Sequence, residues 1–194
     1  MKNYNFFAML SRMKYINRWG LMRNTIDENI AEHSLETALI AHALAVINNV
    51  YFGGNINPDK IAVYAMYHDV PEIITGDLPT PVKYFAPEIK ESYKVVEEAA
   101  IEKLISSLPE EMQEKYSKLL REDEIDKEYR DIVKAADKIS ALIKCIEEKR
   151  MGNQDFLQAE IATLKAIKDL NCKEANYFMK NFIESYSLTI DEQA

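Results

Sequence analysis

The sequence predicts an all-α protein that forms a single domain over residues 1–194. Only five of the 194 residues are glycine, and alanine, leucine, isoleucine, lysine and glutamate dominate, a composition that favours helices over strands. Apolar residues recur at helical spacing, and no repeat, low-complexity segment or linker divides the chain. We therefore expect six or seven helices packed around a buried central pair.

Start and stop residues place these helices along the chain. A first helix is predicted over residues 4–16, and a second begins near Asn29, where Asn29 and Glu32 have the spacing of a capping box. The body of the second helix is apolar nearly all round, which indicates a buried helix. Residues 75–84 contain two prolines and a glycine and are predicted to be a stiff loop without regular helix. Further helices are predicted over residues 87–107, 109–120, 128–150, 154–169 and 173–187.

The most informative segment is Tyr67-His68-Asp69-Val70-Pro71-Glu72, at the end of a short apolar helix that opens at Pro58. Pro71 lacks an amide hydrogen and restricts the backbone of Val70, so the helix should end at this motif. A pocket can open at such a helix end. His68, Asp69 and Glu72 continue the inward face of that helix. Buried titratable groups are costly unless they are paired, and a divalent metal bound by His68 and Asp69 would supply the partner.

A further carboxylate, Asp137, lies within the helical pattern at residues 132–140, on a face of small and apolar residues where a charge needs a buried partner. With His33 from the first turn of the second helix, His33, His68, Asp69 and Asp137 would form a His2Asp2 site for one divalent metal ion. Mixed nitrogen and oxygen ligation suits Mn, Co, Fe or Zn. Four protein ligands leave two positions of a six-coordinate ion for water and a substrate oxygen.

Charge and apolar runs restrict the class of function. The formal net charge is −8 and no run of lysine and arginine offers a phosphate track, so we expect no polymeric nucleic acid as partner. A small phosphorylated substrate is compatible with this charge. We find no secretory signal and no apolar run that approaches the ~20 residues needed to cross a bilayer, so we expect no membrane partner. Two widely separated cysteines fit a reducing compartment, and the expected location is cytoplasmic.

The order His33, His68-Asp69, Asp137 on separate helices resembles the HD-domain metal-dependent phosphohydrolases. Further segments make the chain similar to the bacterial YfbR-type 5'-deoxynucleotidases. They are Phe6-Phe7-Ala8, Asn17-Arg18-Trp19, Leu21-Met22-Arg23-Asn24, Glu32-His33-Ser34, Phe52-Gly53-Gly54-Asn55 and the run TGDLPTPVKYF at residues 75–85. The similarity covers almost the whole chain, is dense to about residue 85 and is thinner after it.

The resemblance implies an HD-domain helical fold and a metal-dependent 5'-deoxynucleotidase, which is a phosphoric monoester hydrolase. Such an enzyme converts deoxyribonucleoside 5'-monophosphates to deoxynucleoside and phosphate and selects deoxyribose over ribose. The resemblance also implies a homodimer and one divalent metal ion, with Co2+ or Mn2+ placed ahead of Zn2+, Fe2+ and Mg2+.

Site residues follow from the resemblance by position. Glu72 would be the proton-transfer carboxylate, and Arg18 would orient the phosphate during catalysis. Trp19 would lie against the sugar, where a 2'-hydroxyl must be excluded, and the segment that begins at Asp77 would contact the nucleoside. The implied substrate-binding residues are Arg18, Trp19, His33, Asp69, Asp77, Leu78, Pro79, Thr80 and Asp137.

Plainer interpretations remain open for single residues. The pair His68-Asp69 could be a hydrogen-bonded core pair, Trp19 a core anchor, and Lys83 either a phosphate contact or a solvated lysine. His42 lies on an apolar stripe and is predicted to be a satisfied core histidine. For the whole chain, the alternatives are an HD-domain hydrolase of a ribonucleotide or nucleoside triphosphate, and a non-catalytic helical metal-binding protein.

Overall fold

Helices make up nearly all of the regular structure in the computed structural model, which describes residues 4–83 and 85–193. Within these residues, seven α-helices span nine residues or more, three are shorter, and strand pairing is limited to one bridge between Asn17 and Asn29. The predicted all-α fold is therefore confirmed. The helices are α1 Phe6–Leu10, α2 Ile30–Tyr51, α3 Pro58–Tyr67, α4 Glu72–Thr75, α5 Thr80–Lys83, α6 Pro87–Ile105, α7 Glu110–Leu120, α8 Lys127–Arg150, α9 Leu157–Asp169 and α10 Lys173–Asn181.

Two predicted helix starts are confirmed by their caps. At the start of α2, Asn29 Oδ1 accepts the N–H groups of Ala31 at 3.0 Å and Glu32 at 3.1 Å. The Glu32 carboxylate accepts the Asn29 N–H at 3.4 Å and completes the capping box. At the start of α3, Asn57 Oδ1 accepts the N–H of Lys60 at 2.9 Å. These caps fix where α2 and α3 begin.

The structure differs from the predicted elements in the proline-rich loop. Residues 75–84 were predicted to lack regular helix, yet Thr80–Lys83 forms the single turn α5. Proline is compatible with the first turn of a helix because the amide hydrogen it lacks has no partner there, so Pro81 does not prevent this turn. Tyr84 lies outside the described residues.

His42 corrects a second prediction. Its side chain is 45% exposed, and its Nε2 lies 3.8 Å from a carboxylate oxygen of Asp59. It is therefore a surface histidine and not a core one. The pattern of apolar neighbours on α2 was misleading because that helix is apolar on its exposed side as well.

The chain forms two compact units, each assembled from segments that are separate in sequence. The expectation of a single domain stays a prediction. The first unit contains the described residues up to Leu21, Asp27–Ser34 and Met66–Ile125. The second unit contains Met22–Ile26, Leu35–Ala65 and the described residues from Asp126 onward.

The core of the second unit is built mainly by α2 and α8. α8 buries twelve of its 24 residues, and α2 contributes apolar residues such as Leu44 and Ala45 to the same cluster. A hydrogen bond of 2.6 Å from Ser140 Oγ to Glu36 Oε2 joins the two helices. These helices match the predicted central pair.

α2 also corrects the expectation about apolar runs. It is the only helix in the described part of the chain that is long and apolar enough to cross a membrane, judged by length and composition. However, 56% of its most apolar window is buried inside the protein, and its first turn carries Glu32 and His33. The core helix of a soluble protein has the same properties, so we interpret α2 as a core helix.

The core of the first unit surrounds the segments that carry the predicted site. Val70 and Ile73 flank the turn after α3, and Ile30 begins α2. All three are buried in one apolar cluster, so the two segments are held by the same core. The other members of the cluster are Phe6, Met13, Ile101, Leu104, Ile105, Leu108 and Leu120.

Candidate active site

The His-Asp pair lies in a turn directly after α3, as the proline predicted. α3 ends at Tyr67, whose carbonyl accepts the N–H of Val70 at 3.2 Å. The Asp69 carbonyl accepts the N–H of Glu72 at 3.0 Å, and Pro71 caps the start of α4. Val70 is 1% exposed, so the turn is anchored in the core of the first unit.

Three side chains of the first unit converge as a candidate metal site. One ligand atom from each of His33, His68 and Asp69 lies within 4.8 Å of the other two. His33 Nε2 is 3.5 Å from Asp69 Oδ2, and His68 Nε2 is 3.2 Å from Asp69 Oδ1. The imidazole centroids of the two histidines are 5.3 Å apart. Two imidazoles and a carboxylate suit a first-row divalent ion, so the donor set fits the predicted metal.

Glu72 is buried beside this cluster and differs from an ordinary glutamate. It is 9% exposed, and its Oε2 has no hydrogen-bond partner among the described residues. Its pKa is raised to about 10, first by burial and then by the carboxylates of Asp69 and Asp77, while Arg18 and Lys83 act in the opposite direction. Burial and the two nearby carboxylates therefore disfavour a charge on Glu72, and a divalent cation would act in the opposite direction.

Acidic side chains hold Arg18 and Trp19 beside the candidate metal site. Arg18 donates from Nη1 to Asp69 Oδ2 at 3.3 Å and from Nε to Glu28 Oε2 at 3.2 Å. Trp19 donates from its indole Nε1 to the same Glu28 oxygen at 2.6 Å. Trp19 is thus half-buried, and its indole is bound to Glu28. Its position against the sugar stays a prediction, and so does the alternative of a core anchor.

The loop after α4 places Asp77 near the same charges. Gly76 has φ +73°, a left-handed conformation that favours glycine, and its N–H donates to the Glu72 carbonyl at 2.8 Å. Burial raises the pKa of Asp77, while Arg18 and a hydrogen bond from the Trp19 backbone lower it. Leu78 and Pro79 are half-buried and Thr80 is exposed at the start of α5. Their role as nucleoside contacts stays a prediction.

Asp137 lies on α8 in the second unit. Its side chain is 24% exposed, and Oδ2 accepts a hydrogen bond from Lys138 Nζ at 2.8 Å. The neighbouring Ala136 is fully buried, which agrees with the predicted packing face. Its assignment as the fourth ligand stays a prediction.

Lys83 lies on α5, close to α6. Its Nζ is 3.9 Å from a carboxylate oxygen of Glu97 and 4.6 Å from the ring centroid of Tyr93. Its side chain is only 31% exposed, so it is not a fully solvated lysine. The alternative role as a phosphate contact stays a prediction.

One site residue was missed by the sequence interpretation. Glu28 contacts both Arg18 and Trp19, and its Oε1 lies 3.8 Å from His33 Nδ1. In the sequence it is one acidic residue in the polar stretch before α2, and no local pattern distinguishes it from Asp27. Its importance depends on the pairing of two segments, which spacing does not reveal.

Comparison with known proteins identifies the family. A family model described as 5'-deoxynucleotidase YfbR-like matches residues 5–186. A 5'-deoxynucleotidase from Photobacterium profundum is 50% identical over 192 residues, which are 99% of this chain and 99% of that protein. A 5'-deoxynucleotidase from Cronobacter sakazakii is 49% identical over 192 residues, which are 99% of this chain and 96% of that protein.

Solved structures share the fold. An HD-domain phosphohydrolase from Listeria innocua aligns with a TM-score of 0.85 at 26% identity, covering 100% of this chain and 93% of that one. The HD phosphohydrolase of cyanophage S-2L, solved with dA and one catalytic Zn2+ ion, aligns with a TM-score of 0.68 at 20% identity, covering 92% of this chain and 96% of that one. The predicted HD-domain fold and family are therefore confirmed. The chain belongs to the YfbR-like 5'-deoxynucleotidase family of HD-domain phosphohydrolases.

Proposed function

We propose that this protein is a metal-dependent 5'-deoxynucleotidase that hydrolyses deoxyribonucleoside 5'-monophosphates at the His33–His68–Asp69 centre. The observation that carries the proposal is the convergence of these three donors beside a buried carboxyl group, that of Glu72, and a guanidinium, that of Arg18. Family membership supports the same class of enzyme, a phosphoric monoester hydrolase.

The guanidinium of Arg18 would bind and orient the substrate phosphate. It lies 3.3 Å from Asp69, so a phosphate near the metal ligands would be within its reach. Arginine suits this role because its planar donors match phosphate oxygens in pairs. Its positive charge would also reduce the repulsion between the phosphate and the surrounding carboxylates.

Glu72 would transfer the proton. A buried carboxyl group with a raised pKa can hold a proton near neutral pH and exchange it with a reacting oxygen. Its Oε2 is buried and has no hydrogen-bond partner within the described residues, so a proton carried by that atom would not be held by another side chain. A structural carboxylate would have both oxygens satisfied.

A divalent ion bound by His33, His68 and Asp69, with Asp137 as the proposed fourth ligand, would supply a Lewis acid that offsets phosphate charge and activates water. We place Co2+ and Mn2+ ahead of Zn2+, Fe2+ and Mg2+. The Asp137 assignment is tested by Asp137→Ala, with Asp131→Ala on the same helix as control. Loss of the bound metal in the first variant alone would support it, and full metal content would contradict it.

Deoxyribose selectivity would depend on the Trp19 ring, which is large and rigid. Rejecting an additional hydroxyl group needs a steric clash or an unsatisfied polar contact, since an apolar pocket alone rejects it poorly. The residues from Asp77 to Thr80 would bind the nucleoside. Asp69 and His33 would contact the substrate near its phosphate. The alternative substrates are ribonucleotides and nucleoside triphosphates. The phosphate-release assay described next distinguishes them from deoxyribonucleoside monophosphates.

The test is phosphate release from dAMP, AMP and dATP by chelator-stripped protein, to which Co2+, Mn2+, Zn2+, Fe2+ or Mg2+ is returned. We expect metal-restored release from dAMP, with AMP and dATP as poor substrates. Preferred hydrolysis of AMP or dATP would move the substrate to the alternative class. No release with any metal would contradict the enzyme and favour a non-catalytic metal-binding protein.

Two of the three histidines, His68 and His42, offer a matched pair of variants for this assay. His68→Ala should lose metal and activity, because it removes one of the three converging donors. His42→Ala should keep both, because His42 is a surface residue on α2. Equal loss in the two variants would show a general effect of histidine removal and would contradict the assignment of His68.

We further propose that the protein is a cytoplasmic homodimer. Four exposed apolar residues of α2, each at least 39% exposed, are spaced so that they follow one side of the helix: Leu35, Leu39, Val46 and Val50. Such an apolar stripe supports an interface between helices. A second copy that packs there would bury this stripe. Leu39→Glu should then give a monomer in sedimentation analysis, and an unchanged dimer would place the interface elsewhere.

A further inference from the structure

The Glu28 carboxylate joins the two residues that we assign to phosphate orientation and sugar selection. One oxygen, Oε2, accepts the indole N–H of Trp19 at 2.6 Å and the Nε–H of Arg18 at 3.2 Å. The side chains of Arg18 and Glu28 are each only 12% exposed, so this is not an ordinary surface ion pair. Hydrogen bonds to an ionised acceptor are about twice as strong as neutral ones.

The backbone around Glu28 holds the same partners. Its carbonyl accepts the N–H of Arg18 at 2.9 Å, and the Ile30 N–H donates to the Ile16 carbonyl at 3.0 Å. Asn17 and Asn29 form the antiparallel bridge between these bonds. The loop that carries Arg18 is therefore tied to the start of α2 on both sides of that bridge.

Trp19 is held in an unfavourable backbone conformation. Its φ is +59°, in the left-handed region that residues with a side chain rarely adopt. Two carboxylates accept its hydrogen bonds, Glu28 from the indole and Asp77 from the backbone. A strained residue persists when its surroundings over-determine its position, and such residues cluster at functional sites.

We propose that Glu28 is a positioning residue that fixes the Trp19 indole and the Arg18 guanidinium relative to the metal ligands, and thereby determines the selectivity for deoxyribose. The other oxygen of Glu28, Oε1, lies 3.8 Å from Nδ1 of His33. The Glu28 carboxylate is therefore next to a proposed metal ligand on that side. The selectivity part of this inference rests on the proposed function. The positioning of Trp19 does not.

The positioning is tested by the fluorescence of Trp19, which is the only tryptophan in the chain. Glu28→Gln keeps the size of the side chain but removes the charge that strengthens the indole hydrogen bond. We expect a shifted emission maximum and a larger acrylamide quenching constant in the absence of substrate. Asp27→Asn is the matched control, because it makes the same change at the exposed neighbouring position and should leave both values unchanged.

The selectivity is tested by the ratio of kcat/KM for dAMP to kcat/KM for AMP. In Glu28→Gln we expect this ratio to fall by about tenfold, because a mobile ring rejects the 2'-hydroxyl poorly. Trp19→Phe keeps a ring but removes the N–H, and it should lower the ratio in the same way. The double variant should lose little more than either single one, because both changes break one interaction.

Each outcome has a defined meaning. Unchanged fluorescence and quenching in folded Glu28→Gln, checked by thermal unfolding, would overturn the positioning role. A changed fluorescence signal with an unchanged sugar ratio would overturn the selectivity role. If the parent protein hydrolyses no nucleotide, the proposed function fails, and the fluorescence comparison still decides whether Glu28 positions Trp19. Glu28→Ala serves as the second variant, since it removes both oxygens.

Discussion

Two buried glutamates, one in each unit, show opposite chemistry. Glu72 is 9% exposed and has one oxygen without a hydrogen-bond partner among the described residues, and its pKa is raised to about 10 by burial and neighbouring carboxylates. Glu148 on α8 is 1% exposed, yet its pKa is lowered. Burial alone would raise it, but hydrogen bonds from Lys144, Asn153 and Thr25 outweigh burial.

The partners of Glu148 explain this difference. Both of its oxygens accept the Thr25 N–H, at 3.0 and 2.9 Å, and Oε1 also accepts the Ile26 N–H at 3.2 Å. Asn153 Nδ2 donates to Oε2 at 2.7 Å, and Lys144 donates its ammonium group to Oε1. A buried charge with this many donors holds the segment Met22–Ile26 in the second unit. A buried carboxyl group that lacks a partner costs stability, and such groups are typical of functional sites.

The largest expected effect is the loss of turnover in Glu72→Gln. We expect kcat for dAMP to fall by roughly 10²–10⁴-fold, because the amide cannot transfer a proton. Bound metal and the free energy of unfolding should be retained, since the substituted amide avoids burying an ionisable group. Steady-state kinetics, metal analysis and urea unfolding measure the three quantities. Unchanged kcat would remove Glu72 from the mechanism.

The same substitution at the other glutamate should reverse the pattern. Glu148→Gln is expected to lower the free energy of unfolding by about 3 kcal/mol, because it leaves the buried ammonium of Lys144 without its ion pair. Its kcat per folded molecule should match that of the parent protein. Equal urea midpoints for variant and parent would show that this network contributes no stability, and the comparison of the two glutamates would then lose its basis.

Local patterns predicted the parts of the structure that local forces determine. The capping box at Asn29 and the start of α3 at Pro58 are confirmed, the latter with Asn57 found as its cap, because each is made by residues at most three positions apart. The turn that carries His68 and Asp69 was predicted because proline interrupts a helix whatever surrounds it. The convergence of these two with His33 was predicted from the residue types and is found in the structure.

The missed features depend on contacts between distant segments. Lys144 and Glu148 have the i, i+4 spacing of an exposed helix pair, yet both are buried, in contact with residues 25–26, Asn153 and Phe156. Glu28 acquires its role because residues 16–19 pair with residues 28–30. Burial and long-range pairing leave no periodic trace in the sequence, so spacing alone gave no reason to select these residues.

The smallest expected effect is the pH dependence of the Glu148 network. The pKa of Glu148 is lower in the folded protein than its ordinary value of 4.5, so the folded state binds fewer protons than the unfolded state below that value. The stability that Glu148 contributes is therefore present above pH 4.5 and is lost as the pH falls below it. Urea unfolding of the parent and Glu148→Gln should show a constant difference in the free energy of unfolding at neutral pH, and this difference should shrink in acid.

The control is Glu111→Gln, at an exposed position on α7, which should differ from the parent by a small and pH-independent amount. A Glu148→Gln difference that stays constant into strong acid would mean that the hydrogen bonds do not favour the ionised carboxylate, and the two glutamates would then differ in packing and not in charge.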